Sequence, residues 1–308
     1  MSVMTMNDQL RIGMIGCDTS HCIAFTKLLH DRDDPHHVAG GRVVACYPSF
    51  SPDIETSASR VEAYKAELSE QWGVAMVDSI EALTAGCDAV LLESNDGRRH
   101  LPEIRPVLAA RKPVFVDKPF TASLADAKEI ARLAGEIGVP CFSSSSLRFD
   151  VNTQACANDT EKGAVISCDA VSNASLEPTN PGFYWYGVHG VEILYALMGP
   201  GCKTVKCIST PGADLAVGRW SDGRIGTMRG VRDGTTNFGA TVVAENKFCQ
   251  FAYSTDVPIY AQLLNQIIPF FGGGPAPVPL EETIEIMAFI EAAWQSSLQG
   301  GAELPLDL

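Results

Sequence analysis

Three stretches of this 308-residue chain place residue types at spacings that could do chemistry. The first is Ile12-Gly-Met-Ile-Gly16-Cys-Asp18-Thr-Ser-His21, a turn after an apolar run. A dinucleotide-binding turn needs glycines where the chain reverses, where backbone nears a pyrophosphate, and where helix meets strand. Gly16 fills the first position, while Asp18 and His21 stand at the second and third. The turn either cradles a phosphate among Gly16, Asp18, Thr19, Ser20 and His21, or is a plain tight turn whose Asp18, Thr19 or Ser20 caps a helix. The second stretch is Val114-Phe-Val-Asp117-Lys118-Pro119-Phe120. A lysine at the carboxyl end of a strand points a cation into the crevice where open α/β sheets bind ligands; the alternative is a solvated surface lysine. The third is Phe183-Tyr-Trp-Tyr-Gly187-Val-His189-Gly-Val-Glu192. His189 and Glu192, three apart at a helix start, share a face, and imidazole suits acid–base work near neutral pH. A lone helical histidine also serves purely structural ends.

The elements that must position these residues follow from periodicity. Strand-like runs read as Leu10–Ile15, Val43–Tyr47, Val74–Val77, Ala89–Leu92, Val114–Val116 and Pro140–Ser143. Helix-period segments lie between them, among them Arg60–Trp72, with Val61, Tyr64, Leu68 and Trp72 on one stripe. Ser123-Leu-Ala-Asp126 reads as a capping box and Gly138 as the stop of the next helix. Six strands with helical crossovers predict a Rossmann-type, doubly wound parallel sheet. After Phe149 the pattern changes. A helix over Gly187–Met198 is followed by runs at Thr204–Ser209, Leu215–Trp220, Arg224–Val231, Ala240–Glu245 and Phe248–Tyr253, with hairpin signals at Asp222-Gly223 and Asp233-Gly234. Two helices, Pro258–Phe271 and Glu281–Leu298, follow. The expected organisation is α/β: residues 1–148 a dinucleotide-binding domain, residues 149–308 an α+β domain with an open, mostly antiparallel sheet that faces substrate and assembles copies.

Composition narrows the partners. Apolar residues make up 46% and charged residues 19%, a globular balance. The net charge of −14, with basic residues scattered, argues against nucleic acid or an anionic membrane. No apolar run approaches the ~20 residues that span a bilayer, and residues 1–8 read as a loose tail without signal-peptide character. The ten cysteines sit singly and mostly in apolar runs, which reads as free thiols in a reducing cytoplasm. They offer no paired spacing for a structural metal, so no metal site is expected.

The three stretches, in this order, resemble the glucose–fructose oxidoreductase, inositol dehydrogenase and MocA (Gfo/Idh/MocA) family of NAD(P)-dependent sugar oxidoreductases, over almost the whole chain. Asp117-Lys118-Pro119 looks like the family's E-K-P motif, Ser94-Asn95-Asp-Gly-Arg-Arg-His100 its T-P-N-x-x-H segment, Ser146-Leu-Arg148-Phe149 its R-F segment, and Gly187-Val-His189 its D-x-G-x-H motif. The closing Glu281-Glu-Thr…Glu291-Ala-Ala helix is similar too. The resemblance implies NAD or NADP held by Gly16, Asp18, Thr19, Ser20, His21, Ser94, Asn95, His100, Asp117 and Lys118. It implies Lys118 hydrogen-bonded to the reacting oxygen and His189 as acid and base, with Arg148, Trp185, Tyr186 and His189 on a carbohydrate or polyol substrate. It also implies a homodimer or homotetramer through the second domain's sheet.

Three positions depart from the pattern. Trp185 stands where an aspartate would assist His189, which leaves Glu192, Tyr184 and Tyr186 as the nearest helpers in sequence. Tyr47-Pro48-Ser49 replaces the acid that grips the adenosine ribose, which with Ser49, Ser51 and Arg60 nearby leans toward tolerance of NADP. Asp18 replaces a phosphate-facing glycine. A carboxylate ~5 Å from one pyrophosphate charge would cost roughly 3 kcal/mol at an effective dielectric near 20, unless it turns away. The leading reading is an NAD(P)-dependent dehydrogenase passing hydride between nicotinamide and a carbinol carbon. The alternatives are a lyase or hydrolase-like enzyme with a recycled cofactor, and a non-catalytic ligand sensor.

Overall fold

The computed structural model describes residues 9–234 and 237–308; the tail expected at residues 1–8 lies outside them. The chain forms two compact units. The first takes residues up to Thr121, Lys128–Ser143 and Tyr260–Leu280, and the second takes Ala122–Ala127, Ser144–Ile259 and Glu281–Leu308.

The first unit carries β1 (Leu10–Ile15), α1 (Ser20–His30), β2 (Gly41–Tyr47), α2 (Glu55–Ala58), α3 (Val61–Glu70), β3 (Ala75–Met76), α4 (Ile80–Ala85), β4 (Ala89–Leu92), α5 (Gly97–Ala109), β5 (Val114–Val116), most of α6 (Leu124–Ile137) and β6 (Cys141–Ser143). Its sheet runs β3-β2-β1-β4-β5-β6 with every pairing parallel. β4 and β5 are buried along their whole length, as apolar strands covered on both faces must be. The order reverses at β1/β4, so the carboxyl ends of β1, β4 and β5 meet at one crevice. The local signals are as the sequence has them: Ser123 Oγ accepts from Asp126 N–H at 3.2 Å, and Gly138 takes φ +73° at the end of α6.

The second unit carries α7 (Val151–Ala157), β7 (Val165–Asn173), α8 (Val188–Met198), β8 (Cys202–Thr210), β9 (Ala213–Trp220), β10 (Ile225–Val231), β11 (Gly239–Ala244) and β12 (Phe248–Ala252). After α9 (Ile259–Phe271) come α10 (Leu280–Leu298) and β13 (Leu304–Pro305). Its sheet runs β12-β11-β7-β10-β9-β8-β13, antiparallel except for β7 with β10. β7, near the middle, is absent from the sequence reading. Its buried face is Cys168, Ala170 and Ser172, too small to give an apolar alternation. Those small residues let α8 approach closely: a Cβ on Gly190 would come within 2.7 Å of Ser172 Cβ.

The sequence reading assigns all of residues 149–308 to the second domain, whereas Tyr260–Leu280 belongs to the first unit. The reason is the apolar face of α9. The Phe270 ring meets Phe142 of β6 edge-on at 4.8 Å, and the Tyr260 ring lies 5.7 Å from Phe25 of α1. All ten cysteines are free, and only Cys249 is not buried. No helix of the described residues is long and apolar enough to cross a membrane.

Candidate functional site

At the carboxyl edge of the first sheet, three successive loops deliver three polar side chains to one place. Thr19 caps α1, its Oγ1 accepting from His21 N–H at 3.4 Å, so His21 stands in the first helical turn. Glu93 and Asp117 are the residues just past β4 and β5, pinned by Glu93 N–H to Ile15 O at 2.7 Å and Asp117 N–H to Leu92 O at 2.8 Å. His21 Nδ1 lies 2.7 Å from Asp117 Oδ2 and 3.9 Å from Glu93 Oε2. His21 is 7% exposed, Glu93 0% and Asp117 1%. Both Glu93 oxygens and Asp117 Oδ1 lack a hydrogen-bond partner. Were both acids ionised within the cluster's 4.8 Å span, they would repel by roughly 3.5 kcal/mol at a dielectric near 20. Burial, then Asp117, pushes the Glu93 carboxyl well above its usual range, against the pull of Lys118. Burial works to raise Asp117 as well, but attraction to His21 and Lys118 holds it below the usual carboxylate value. The Tyr260 and Phe25 rings flank His21 at 4.7 Å and 5.8 Å and fix its plane. Lys118, next to Asp117, is buried.

Several residues predicted to touch a cofactor are instead committed to holding the loops together. Asp18 is fully buried, accepting from the Ser57 hydroxyl at 2.6 Å and from Asn95 N–H at 3.1 Å, and burial raises its carboxyl despite those bonds. The carboxylate therefore turns away from the turn's outer face and ties the loops after β1, β2 and β4. Gly16, at φ +89°, packs against the Glu93–Ser94 backbone, where any Cβ would collide. Ser94 donates to Glu103 at 2.6 Å. His100 faces Ser94 O at 2.7 Å and Phe120 O at 3.1 Å, so both ring nitrogens serve the backbone rather than a ligand. Ser20 is exposed at the start of α1. Beside the end of β2 a cleft of ≈550 Å³ is lined by Tyr47, Ser51, Asp53, Asp96, Arg98 and Glu103 among others. Ser49 and Ser51 donate to Glu103 and Asp96, and Arg60 does not line the cleft. The acids at this cleft come from α5 and its cap, Glu103 and Asp96, and from Asp53, not from the end of β2.

In the second unit, His189 stands in the first turn of α8 with Nδ1 2.7 Å from Ser145 Oγ. Its ring packs edge-on against Tyr186 at 5.7 Å and Phe238 at 5.5 Å. Ser145 is the partner that sequence reasoning missed. The expected helper, Glu192, accepts from Arg148 Nε at 2.6 Å, and Arg148 also donates to Glu282 at 2.6 Å. Burial raises the Glu192 carboxyl, with Arg148 opposing. Arg148 and Glu192 are therefore scaffold, with Arg148's charge already answered by two carboxylates. Tyr184 is likewise structural, donating to Glu291 at 2.7 Å. Trp185 is buried, while Tyr186 is exposed.

Residues 10–145 match the model of an oxidoreductase family with an NAD-binding Rossmann fold, Gfo/Idh/MocA. Over 226 residues the chain is 30% identical to inositol 2-dehydrogenase of Mycolicibacterium gilvum (strain PYR-GCK), covering 68% of this chain and 57% of that protein. The chain belongs to this oxidoreductase family. Its match to the putative oxidoreductase YceM of Salmonella typhimurium (strain LT2) is 35% identical over 93 residues, 30% of this chain and 29% of that one. The Gfo/Idh/MocA chain thus spans a little over half of one curated relative and under a third of the other. Among solved structures, apo scyllo-inositol dehydrogenase from Lactobacillus casei superposes with a TM-score of 0.80 at 12% identity, covering 98% and 99% of the two chains. GenD2 from gentamicin A biosynthesis, in complex with NAD, gives 0.77 at 16% identity, covering 99% and 98%. Likeness at such identity establishes a shared fold.

Proposed function

We propose that this family member is an NAD-dependent dehydrogenase acting on a carbinol carbon of a sugar, cyclitol or derivative. The observation that carries the reading is Asp117-Lys118 at the carboxyl end of β5, one strand from the β1/β4 switch point of a sheet with the 3-2-1-4-5-6 order. The first unit's residues are compatible with the cofactor. Asp18 does not oppose a pyrophosphate near the α1 N-terminus, where helix amides favour anions. The cleft beside β2 suits an adenosine. Its acids Asp53, Asp96 and Glu103 outnumber its cations and disfavour a 2′-phosphate: Arg98 is answered by Asp96 at 2.7 Å and Asp53 at 2.8 Å, and Arg99 by Glu103 at 2.8 Å. The reading therefore moves from tolerance of NADP to NAD.

When bound, NAD supplies the hydride acceptor. Lys118 donates a hydrogen bond to the substrate oxygen, which strengthens as that oxygen's bond order changes. The resemblance gives His189 the hydroxyl proton, and within the second unit Ser145 Oγ at 2.7 Å orients its ring for that role. Tyr186, exposed beside His189, offers the ring face for a polyol, a better candidate than the buried Trp185. The uncovered face of the second sheet carries Ile208, Ile225, Val243 and Phe248, up to 68% exposed, a patch suited to pairing copies of the chain as a dimer or tetramer. Light scattering of wild type and Phe248→Glu tests that assembly.

The function test is NAD reduction across a panel of inositols and aldoses. Activity on one of them, reduced about a hundredfold in kcat by Lys118→Ala with little change in dinucleotide affinity, is expected. Full activity in both Lys118→Ala and His189→Ala would sink the mechanism.

A further inference from the structure

We infer that His21, Glu93 and Asp117 form a divalent-metal site at the carboxyl edge of the first sheet. One Nδ1 from the first turn of α1 and two carboxylates from the ends of β4 and β5 converge, with all candidate ligand atoms within 4.8 Å of one another. All three side chains are more than nine-tenths buried. Both Glu93 oxygens and Asp117 Oδ1 are buried without a hydrogen-bond partner, an arrangement that proteins seldom tolerate without a ligand. His21 Nδ1 lies 2.7 Å from Asp117 Oδ2 and 3.9 Å from Glu93 Oε2, so the imidazole nitrogen and both acids already meet at one point. An ion about 2.1 Å from each ligand needs only small side-chain adjustments.

The rest of the neighbourhood supports a built site. Tyr260 and Phe25 clamp the imidazole plane, and the backbone bonds of Glu93 and Asp117 to β1 and β4 fix both carboxylates at their roots. The donor set selects the ion class. One imidazole with two carboxylates suits Mn²⁺, Fe²⁺ or Zn²⁺ better than the all-oxygen shell preferred by Ca²⁺. Three protein ligands leave positions open for water or for an oxygen of a ligand, beside the Lys118 cation. No short-spaced motif announces the site, because its ligands are 72 and 24 residues apart in the chain. It stands independently of the dinucleotide reading and is tested without any nucleotide.

The test is Mn²⁺ binding to tag-free wild-type protein, stripped of metal with chelator and titrated with MnCl₂ while free ion is read by electron paramagnetic resonance. Mn²⁺ is chosen because an accessible thiol such as Cys249 would compete for Zn²⁺ but binds Mn²⁺ poorly. One ion per chain is expected, with affinity reduced roughly a hundredfold or more in His21→Ala and in Glu93→Gln. Glu93→Gln keeps the side chain's shape and takes away only the carboxylate that would ligate, so it guards against loss of folding. Thermal melts should show Mn²⁺ stabilising wild type and leaving Glu93→Gln unmoved. No stoichiometric binding by folded wild type, or binding equal in wild type, His21→Ala and Glu93→Gln, overturns the assignment and leaves Glu93 a buried neutral acid.

Discussion

Each unit buries a cluster of charge, and the two clusters follow opposite rules. In the second unit Arg148 lies between Glu192 and Glu282 at 2.6 Å from each, and His189 rests on Ser145. In the first, Glu93 has no hydrogen-bonding partner for either oxygen and Asp117 none for one. Buried charge that is fully answered holds a scaffold, while buried polar groups left open at a strand-end crevice mark where a ligand is handled. By this comparison the Arg148 network positions the start of α8, and the edge of β1, β4 and β5 is where the proposed ligands would be handled.

The sharpest way to break the comparison is to remove one group from each cluster. Arg148→Ala strands the buried Glu192 carboxyl and frees the half-buried Glu282, and should destabilise the protein by about 3 kcal/mol. Glu93→Gln, measured without added metal, should leave stability unchanged or raised. Urea unfolding of both variants decides it, and equal losses would show that the clusters are alike. Next in size is Asp18→Gly. It deprives Ser57 and Asn95 of their acceptor and should cost about 2 kcal/mol, with no gain in NAD affinity. A tighter NAD complex would mean that the carboxylate faces the phosphate after all.

Smaller again is Ser145→Ala, which frees His189 without touching substrate. It should lower kcat about tenfold, a fraction of what acid–base catalysis contributes, leave KM nearly unchanged, and displace the pH–rate profile. A purely structural serine would move the melting temperature and not the profile. The smallest effect is a pH dependence. Burial raises the Asp18 carboxyl above its unfolded value despite the Ser57 and Asn95 bonds, so the native state holds a proton that the unfolded chain has released. The stability this lends is full below the unfolded pKa and is lost as pH rises through the raised one. The wild-type minus Asp18→Asn stability difference should therefore fall with rising pH across that window.

The first sheet was legible in sequence because its strands are continuous apolar runs separated by helix-period segments, and each of the six appears within a few residues of its expected place. β7 was not legible, since Cys168, Ala170 and Ser172 bury a face without bulky residues. Nor was the return of α9 to the first unit, because an apolar helix face does not say which sheet it covers. Among the proposed site residues, Lys118 is legible by its place at a strand end. The same rule applied to Ala89-Val-Leu-Leu-Glu93 would have found Glu93, a lone acid closing an apolar strand. Glu192 was assigned to His189 because both lie on one helical face, yet the guanidinium of Arg148 draws it away. Ser145 sits 44 residues from His189, and no helical spacing connects them.

The central claim is that the first unit holds NAD at the crevice beside Lys118. Calorimetric titration of the wild-type chain with NAD and NADP, in chelator so that metal plays no part, tests it most directly. The account predicts one NAD per chain, bound more than tenfold tighter than NADP, roughly the 1.4 kcal/mol or more that the cleft's carboxylates would impose on a 2′-phosphate. No heat and no saturation with either dinucleotide at millimolar concentration would contradict it.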